Sequence, residues 1–131
     1  MTEPLLRCVD AVTIPVPDLD EGLRFYSRAL GHSLSWRNDE VGQAGLRVPG
    51  SDTEIVLTQR QPYEPVWLVP SAADAAQLFE RAGGAMVEGP VEIPVGILVV
   101  VRDPFGNRLT LLDLSKGRYV TDATGRVTGV S

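Results

Sequence analysis

The chain has 131 residues, of which 44% are hydrophobic and 22% charged, a balance typical of a folded globular protein and not of a disordered one. Its net charge of −5, without any cluster of lysine and arginine, argues against a nucleic-acid partner. No apolar run approaches the roughly 20 residues of a membrane span, and the N-terminus lacks the basic and apolar blocks of a signal peptide. We therefore expect a cytoplasmic protein without a membrane partner.

The first strand and helix are signalled by a change of hydrophobic period. Apolar and polar residues alternate over 7–16, which predicts a strand, and apolar residues then recur at helical spacing over 18–30. Asp18 and Glu21 stand at the spacing of a capping box, in which Asp18 accepts from the first free backbone N–H groups. Gly31 suits the left-handed residue that closes a helix.

The single cysteine, Cys8, falls at the start of this first strand. It cannot form an internal disulfide, and no nearby base would activate it as a nucleophile. We expect a buried and inert thiol.

The remaining pattern repeats the order strand, helix and three strands. In the first module, residues 7–59, the helix is followed by predicted strands at 33–38, 42–48 and 53–59. The second module, residues 64–114, contains a predicted strand at 64–69, a helix at 72–82 and strands at 85–88, 96–102 and 107–114. Together the modules form a single domain over residues 1–114, of the α+β class.

The two modules read as copies of one unit. Ser71 and Phe79 each stand 53 positions after Asp18 and Tyr26 respectively, without a gap. A repeat present only twice is typical of a duplicated supersecondary unit, because a solenoid needs three or more copies. The chain is therefore interpreted as a tandem duplication of a βαβββ unit.

Two segments outside this plan are turn-rich. Asp103-Pro104-Phe105-Gly106 has the residues of a type I turn, which favours a structural role. The tail, residues 115–131, carries Asp122-Ala123-Thr124-Gly125 between two β-prone runs and is a candidate hairpin. A partner subunit, a sheet edge or the mouth of a pocket could hold it.

Two motifs resemble those of a known family. I-P-V-P-D-L-D-E-G-L-R-F-Y, ending in A-L-G, resembles the opening of proteins in the vicinal oxygen chelate superfamily, which includes glyoxalase I, bleomycin resistance proteins and extradiol dioxygenases. D-P-F-G-N-R-L-T-L-L is similar to the closing motif of that superfamily, and the likeness covers residues 9–113. It implies two βαβββ modules curled into a half-open cup, with the helices on the outer face, and commonly a homodimer.

The resemblance also implies where a metal ion would bind. Metal-dependent members place His, Glu or Gln on four inward-facing strands, and those positions fall here on Ala11, Val56, Glu64 and Thr110. Three of the four side chains cannot usefully bind a divalent ion. The only histidine, His32, follows the helix-capping glycine and is expected on the surface or in packing. We therefore expect no cofactor.

Glu64 is the one weak candidate for a catalytic residue. Burial in an apolar cup would raise its pKa and suit it to general-base work. The favoured alternative is a solvated carboxylate at a strand end, and a slip of one residue in the alignment would place Pro65 there instead.

The predicted cup is open and has one aromatic platform. An aromatic platform among small and apolar residues suits a planar or amphipathic molecule. Trp36 could instead make a sheet or dimer contact, Arg47 could be a solvated side chain, and Trp67 is expected in the core. The candidate binding residues are Thr13, Trp36, Gln43, Arg47, Val56, Glu64 and Thr110.

The sequence favours metal-independent binding of a small organic molecule, a drug or metabolite, as in the bleomycin resistance branch. One alternative is a metal-dependent lyase, isomerase or dioxygenase with divergent ligands, drawing on Glu54 and Glu64. Another is a metal-free enzyme that uses Glu64 as its base. A third is a family remnant whose dimer surface is its function.

Overall fold

The computed structural model describes residues 3–131 and confirms the α+β class. The first helix continues as a π-helical segment over Arg24–Ala29. The strands and helices are β1 Cys8–Pro15, α1 Leu19–Leu23, β2 Leu34–Asn38, β3 Gln43–Val48, β4 Ser51–Thr58, β5 Glu64–Leu68, α2 Ala72–Arg81, β6 Ala85–Ile93, β7 Gly96–Arg102, β8 Arg108–Asp113, β9 Tyr119–Thr121 and β10 Val127–Val130. None of the helices in these described residues is long and apolar enough to cross a membrane.

The chain divides into two compact units. The first unit contains Asp10–Glu64 together with Tyr119–Gly129 of the tail. The second unit contains Pro65–Arg118, the N-terminal segment that ends at Val9, and the last two residues.

Four strands of the first unit form a sheet in the order β2-β3-β4-β1. β1 and β4 are parallel, whereas the other neighbouring pairs are antiparallel. One face of this sheet packs under α1, because alternation along β3 and β4 directs Ala44, Leu46 and Leu57 toward Leu19 of the helix. The opposite face carries the other half of each strand's side chains.

The second unit repeats this order as β6-β7-β8-β5, again with the first and last strands of the module parallel. Its core lies between α2 and the sheet, and the small residues of the helix allow close approach. Trp67 is partly buried against this core, as expected. The buried members are Val69, Ala72, Ala75, Ala76, Val99, Val101 and Leu111.

Both helix starts are as predicted. Asp18 Oδ1 accepts the backbone N–H of Glu21 at 2.9 Å, and Ser71 Oγ accepts that of Asp74 at 3.2 Å. Gly31 closes the first helical segment at φ +88°, in the left-handed region.

The first helix departs from prediction in its hydrogen bonding. The N–H of Leu30 donates to the carbonyl of Phe25, five residues earlier, at 3.0 Å. A helical hydrophobic pattern predicts which face is buried, but it does not distinguish a spacing of four from a spacing of five.

Two further expectations are corrected. Cys8 is exposed and not buried, because it opens β1 ahead of the ladder with β4, which begins at Ala11. β6 continues through Gly89-Pro90 to Ile93, beyond its predicted end at residue 88. An irregularity between Glu88 and Val91 absorbs those two residues, so the pairing with β7 continues beyond them.

The Asp103 turn has the predicted structural role. The N–H of Gly106 donates to the carbonyl of Asp103 at 3.1 Å, closing the turn. Asp103 Oδ1 accepts the N–H groups of Phe105 and Asn107, each at 2.9 Å. The side-chain hydrogen bond from Asn107 is the main reason that the pKa of Asp103 lies below its ordinary value.

A buried carboxylate joins the elements of the second unit. Asp113, only 4% exposed, accepts the N–H of Ala72 at 2.7 Å through Oδ2, and those of Ile97 and Ser115 at 3.1 and 3.2 Å through Oδ1. Burial raises the pKa of this group, but the hydrogen bonds together outweigh burial, so its pKa lies below the ordinary aspartate value. Asp113 thus ties the start of α2 to β7 and β8.

Candidate functional site

The face of the first-unit sheet that lies away from α1 holds the candidate site; we call it the helix-free face. Ladder pairs place Trp36 of β2 opposite Gly45 of β3, and Gly45 opposite Val56 of β4. Val56 is in turn the partner of Thr13 on β1. Residues directly opposite each other project to the same face, so three predicted site residues, Thr13, Trp36 and Val56, lie in one row across the sheet.

Trp36 is buried on this face in a fixed orientation. Its indole lies across Gly45, where any added Cβ would overlap the ring nitrogen Nε1. The indole Nε1–H donates to Glu54 Oε1 at 2.9 Å. A glycine beneath one ring face and a carboxylate at the ring edge therefore determine where this side chain lies.

Tyr119 of the tail covers Trp36. The two ring centroids are 4.7 Å apart, with the ring planes at 49°. The hydroxyl of Tyr119 receives a long hydrogen bond of 3.5 Å from Asn38 Nδ2. Burial raises the pKa of Tyr119, and the bond from Asn38 offsets part of that rise. Trp36 is left 9% exposed, so it is not the open platform that the sequence suggested.

The tail reaches Trp36 as a two-stranded hairpin of β9 and β10. The backbone N–H of Arg37 donates to the carbonyl of Gly125 at 2.8 Å. Arg126 Nη1 forms an ion pair with Asp39 Oδ2 at 2.7 Å. The hairpin is thus attached along β2, the outer strand of the first-unit sheet.

Thr13 and Gln43 hold the linker that follows β4. The Thr13 hydroxyl donates to the carbonyl of Pro62 at 2.6 Å and lies 3.1 Å from that of Glu64. Gln43 Nε2 donates to Gln61 Oε1 at 3.1 Å. Thr13 therefore uses its hydroxyl donor, and Gln43 one of its two amide N–H groups, within the first unit.

Arg47 lies apart from this row. Its side chain is exposed and donates through Nη1 to the carbonyl of Leu34 at 3.3 Å. The backbone carbonyl of Arg47 lies 3.0 Å from Nδ1 of His32, the only histidine, which is within hydrogen-bond distance. The structure does not bring Arg47 into contact with Trp36 through any hydrogen bond or ring contact of the described residues.

A comparison with protein families identifies the fold. The family model described as the Glyoxalase/Bleomycin resistance protein/Dioxygenase superfamily matches residues 9–111. The chain belongs to this superfamily. The resemblance seen in the two sequence motifs is thereby confirmed.

Several solved structures share the fold of this chain. Methylmalonyl-CoA epimerase from Mycobacterium tuberculosis is 23% identical, with a TM-score of 0.66, over 86% of this chain and 91% of that one. A hypothetical protein from Bacillus halodurans C-125 is 16% identical, with a TM-score of 0.66, over 88% and 98% of the two chains. Streptomyces coelicolor methylmalonyl-CoA epimerase, in complex with 2-nitronate-propionyl-CoA, is 17% identical, with a TM-score of 0.62, over 84% and 95%. No curated protein matches the chain in sequence.

The four positions implied as metal ligands in the glyoxalase superfamily do not supply a suitable donor set here. Ala11 and Val56 are buried hydrocarbon side chains of the first unit. Thr110 is a buried hydroxyl on β8 of the second unit, and only half-buried Glu64 carries a carboxylate. Across residues 3–131, no three His, Cys, Asp or Glu side chains lie together as a metal-binding group. These residues do not fit a divalent ion.

Sequence reasoning missed Tyr119 and Gly45 as parts of this candidate site. A signal for Gly45 was present, because a glycine inside a strand often marks a close approach by another group. Tyr119 had no comparable local signal, since the tail could be assigned only as a candidate hairpin.

Proposed function

We propose that this member of the glyoxalase superfamily binds a small planar organic molecule on the helix-free face of its first unit, without a metal ion. The observation that carries the proposal is the fixed position of Trp36 between Gly45 and Glu54. An aromatic ring held by its neighbours loses little conformational entropy when a ligand stacks on it. Offset or tilted stacking is worth about 0.5–1.5 kcal/mol beyond the burial of apolar area.

The side chains around Trp36 support binding more than metal chemistry. Val56 and Ala11 give this face hydrocarbon side chains, and burial of apolar ligand area contributes about 25 cal/mol per Å². The carboxylate of Glu54 gives the face an acceptor that favours ligands with N–H or O–H donors. Thr13 and Gln43 remain proposed contacts, through atoms other than the donors they already use.

A metal-dependent lyase, isomerase or dioxygenase is the alternative that the first experiment tests. Tag-free protein is analysed for bound metal, and its Tm is recorded before and after addition of Mn, Fe, Ni or Zn. We expect no near-stoichiometric ion and no shift of Tm, because Ala11 and Val56 offer no donor atom. A stabilisation of several degrees that Glu64→Ala removes would favour the metal enzyme.

Ligand binding is tested at the two indole N–H groups. A panel of flat aromatic compounds is added to ¹⁵N-labelled protein, and the cross-peaks of Trp36 and Trp67 are followed by NMR after assignment with Trp67→Phe. We expect some compounds to move the Trp36 signal and leave Trp67, which packs in the second-unit core, unmoved. If every compound in the panel leaves the Trp36 signal in place, both in the natural protein and in Tyr119→Ala, the proposed site is wrong.

The proposal also includes a cytoplasmic homodimer. The cytoplasmic location is expected from the sequence, and the homodimer is expected from the family resemblance. Sedimentation of the untagged protein would measure the mass directly, and a mass of one chain at micromolar concentration would remove the dimer from the proposal.

A further inference from the structure

The contacts of Tyr119 resemble those of a bound ligand. Its ring stacks on Trp36, which the proposed function makes the ligand platform. Its hydroxyl meets Asn38 Nδ2, a side-chain donor beside that platform. A phenol ring and a hydroxyl thus occupy the surface that an outside molecule would need.

The hairpin that carries Tyr119 is attached by few groups. Val120 beside it is 42% exposed, and the other residues of the hairpin are partly or fully exposed. The ion pair between Arg126 and Asp39 is also exposed, at 61% and 47% of the two side chains. Exposed pairs contribute little and are screened by salt, so release of the hairpin costs mainly the backbone hydrogen bond from Arg37 to Gly125 and the ring contact of Tyr119 with Trp36.

We propose that Tyr119 is an internal stand-in for the ligand, and that the ligand is a small phenol. On binding, the phenol ring takes the place of the Tyr119 ring on Trp36, and its hydroxyl accepts the N–H of Asn38. This inference rests on the proposed function, because it assigns a ligand class to the same site. Tyr119 then competes with the ligand, and the apparent Kd rises as the uncovered fraction of the protein falls.

The competition sets the direction of the key measurement. Removal of the Tyr119 ring removes the competitor, so a phenol binds more tightly to the variant than to the natural chain. From the free energy that one aromatic pair contributes, we expect the Kd of a phenol to be about threefold to tenfold lower for this variant than for the natural chain. If Tyr119 were instead a wall of the ligand site, its removal would weaken binding.

The experiment titrates p-cresol into the full chain and follows the Trp36 indole cross-peak. The natural protein is compared with Tyr119→Ala and with Val120→Ala, a matched truncation on the neighbouring hairpin residue. Tighter binding of p-cresol to Tyr119→Ala, and not to Val120→Ala, supports the inference. Toluene lacks the hydroxyl, so it should bind to Tyr119→Ala less tightly than p-cresol does. The Tm and far-ultraviolet circular dichroism of each variant establish that it is folded. Tyr119→Phe keeps the ring and should therefore retain most of the competition with p-cresol.

Failure of the inference can be distinguished from failure of the proposed function. Equal or weaker p-cresol binding in Tyr119→Ala overturns the stand-in role, while a shift of the Trp36 signal still supports a ligand site there. A tighter affinity for toluene than for p-cresol overturns the phenol class alone. If neither p-cresol nor the flat aromatic panel moves the Trp36 signal in any variant, the phenol inference and the proposed function both fail.

Discussion

The indole of Trp36 lies directly over Gly45, its ladder partner on the neighbouring strand. A glycine in the interior of a strand forgoes side-chain packing, and here the ring of Trp36 fills the space that a side chain would occupy. Because the ring nitrogen also meets Glu54, position 45 controls how the proposed ligand platform is oriented.

Gly45→Ala should therefore displace Trp36. The added methyl group overlaps Nε1, so the ring must move and its hydrogen bond to Glu54 must lengthen or break. We expect a loss of about 1–3 kcal/mol in the free energy of unfolding, the usual cost of overpacking, and a large shift of the Trp36 indole cross-peak. Chemical denaturation and NMR measure the two effects.

The matched control is Gly50→Ala, since nothing lies within 4 Å of a Cβ added there. It should leave both the stability and the Trp36 signal nearly unchanged. Equal effects at positions 45 and 50 would show that the indole does not depend on Gly45.

Asp113 should make the second unit sensitive to acid. Its pKa is lower in the folded chain than in the unfolded chain, so the carboxylate stabilises the fold at pH values above the unfolded pKa. This contribution declines as pH falls from about 4 through the folded pKa. Asp113→Asn should lower the free energy of unfolding by about 1–3 kcal/mol at pH 7, because a buried N–H of Ala72, Ile97 or Ser115 loses its charged acceptor.

Unfolding of the natural chain, Asp113→Asn and Glu80→Gln across pH 2–7 checks this expectation. Glu80 is an exposed acid of α2 and serves as the control. The difference between the natural chain and Asp113→Asn should shrink toward the acid end of that range. A difference that stays constant with pH would mean that ionisation of Asp113 does not stabilise the fold.

Removal of a helix cap gives a third prediction. Ser71→Ala leaves the N–H of Asp74 without its side-chain acceptor, and the free energy of unfolding should fall by about 1 kcal/mol. Ser71→Asp retains an acceptor at the same place and should be nearly neutral. Thermal unfolding of the two variants measures this difference. An equal loss of unfolding free energy in both variants would count against capping as the cause.

The fold was predictable because its signals are local or repeated. Asp18 and Ser71 mark helix starts through hydrogen bonds that span three residues. The offset of 53 positions between them carries the strand order of one module onto the other. The predicted length of β6 was wrong because its pairing with β7 continues across Gly89-Pro90. A local rule by which glycine and proline end a strand does not include that pairing.

The site was less predictable because its contacts are distant in sequence. The sequence predicted Trp36, Val56 and Thr13 as binding residues, and the strand register places the three on one face. No local pattern, however, joins Trp36 to Tyr119, which lies far along the chain in the tail. The bond from Trp36 to Glu54 likewise depends on the register of three strands, which is a tertiary property.

The bond between Trp36 and Glu54 gives the last prediction. Glu54→Ala removes the acceptor of the buried indole N–H, which should lower the free energy of unfolding by about 1–3 kcal/mol and speed hydrogen exchange at Nε1. Glu54→Gln keeps an oxygen acceptor without the charge, so it should have a smaller effect on both quantities. Exchange followed at the Trp36 cross-peak, with Trp67 as the internal reference, tests the pair. Exchange at Trp36 that is unchanged in Glu54→Ala would show that the burial of the ring, and not Glu54, protects the indole N–H.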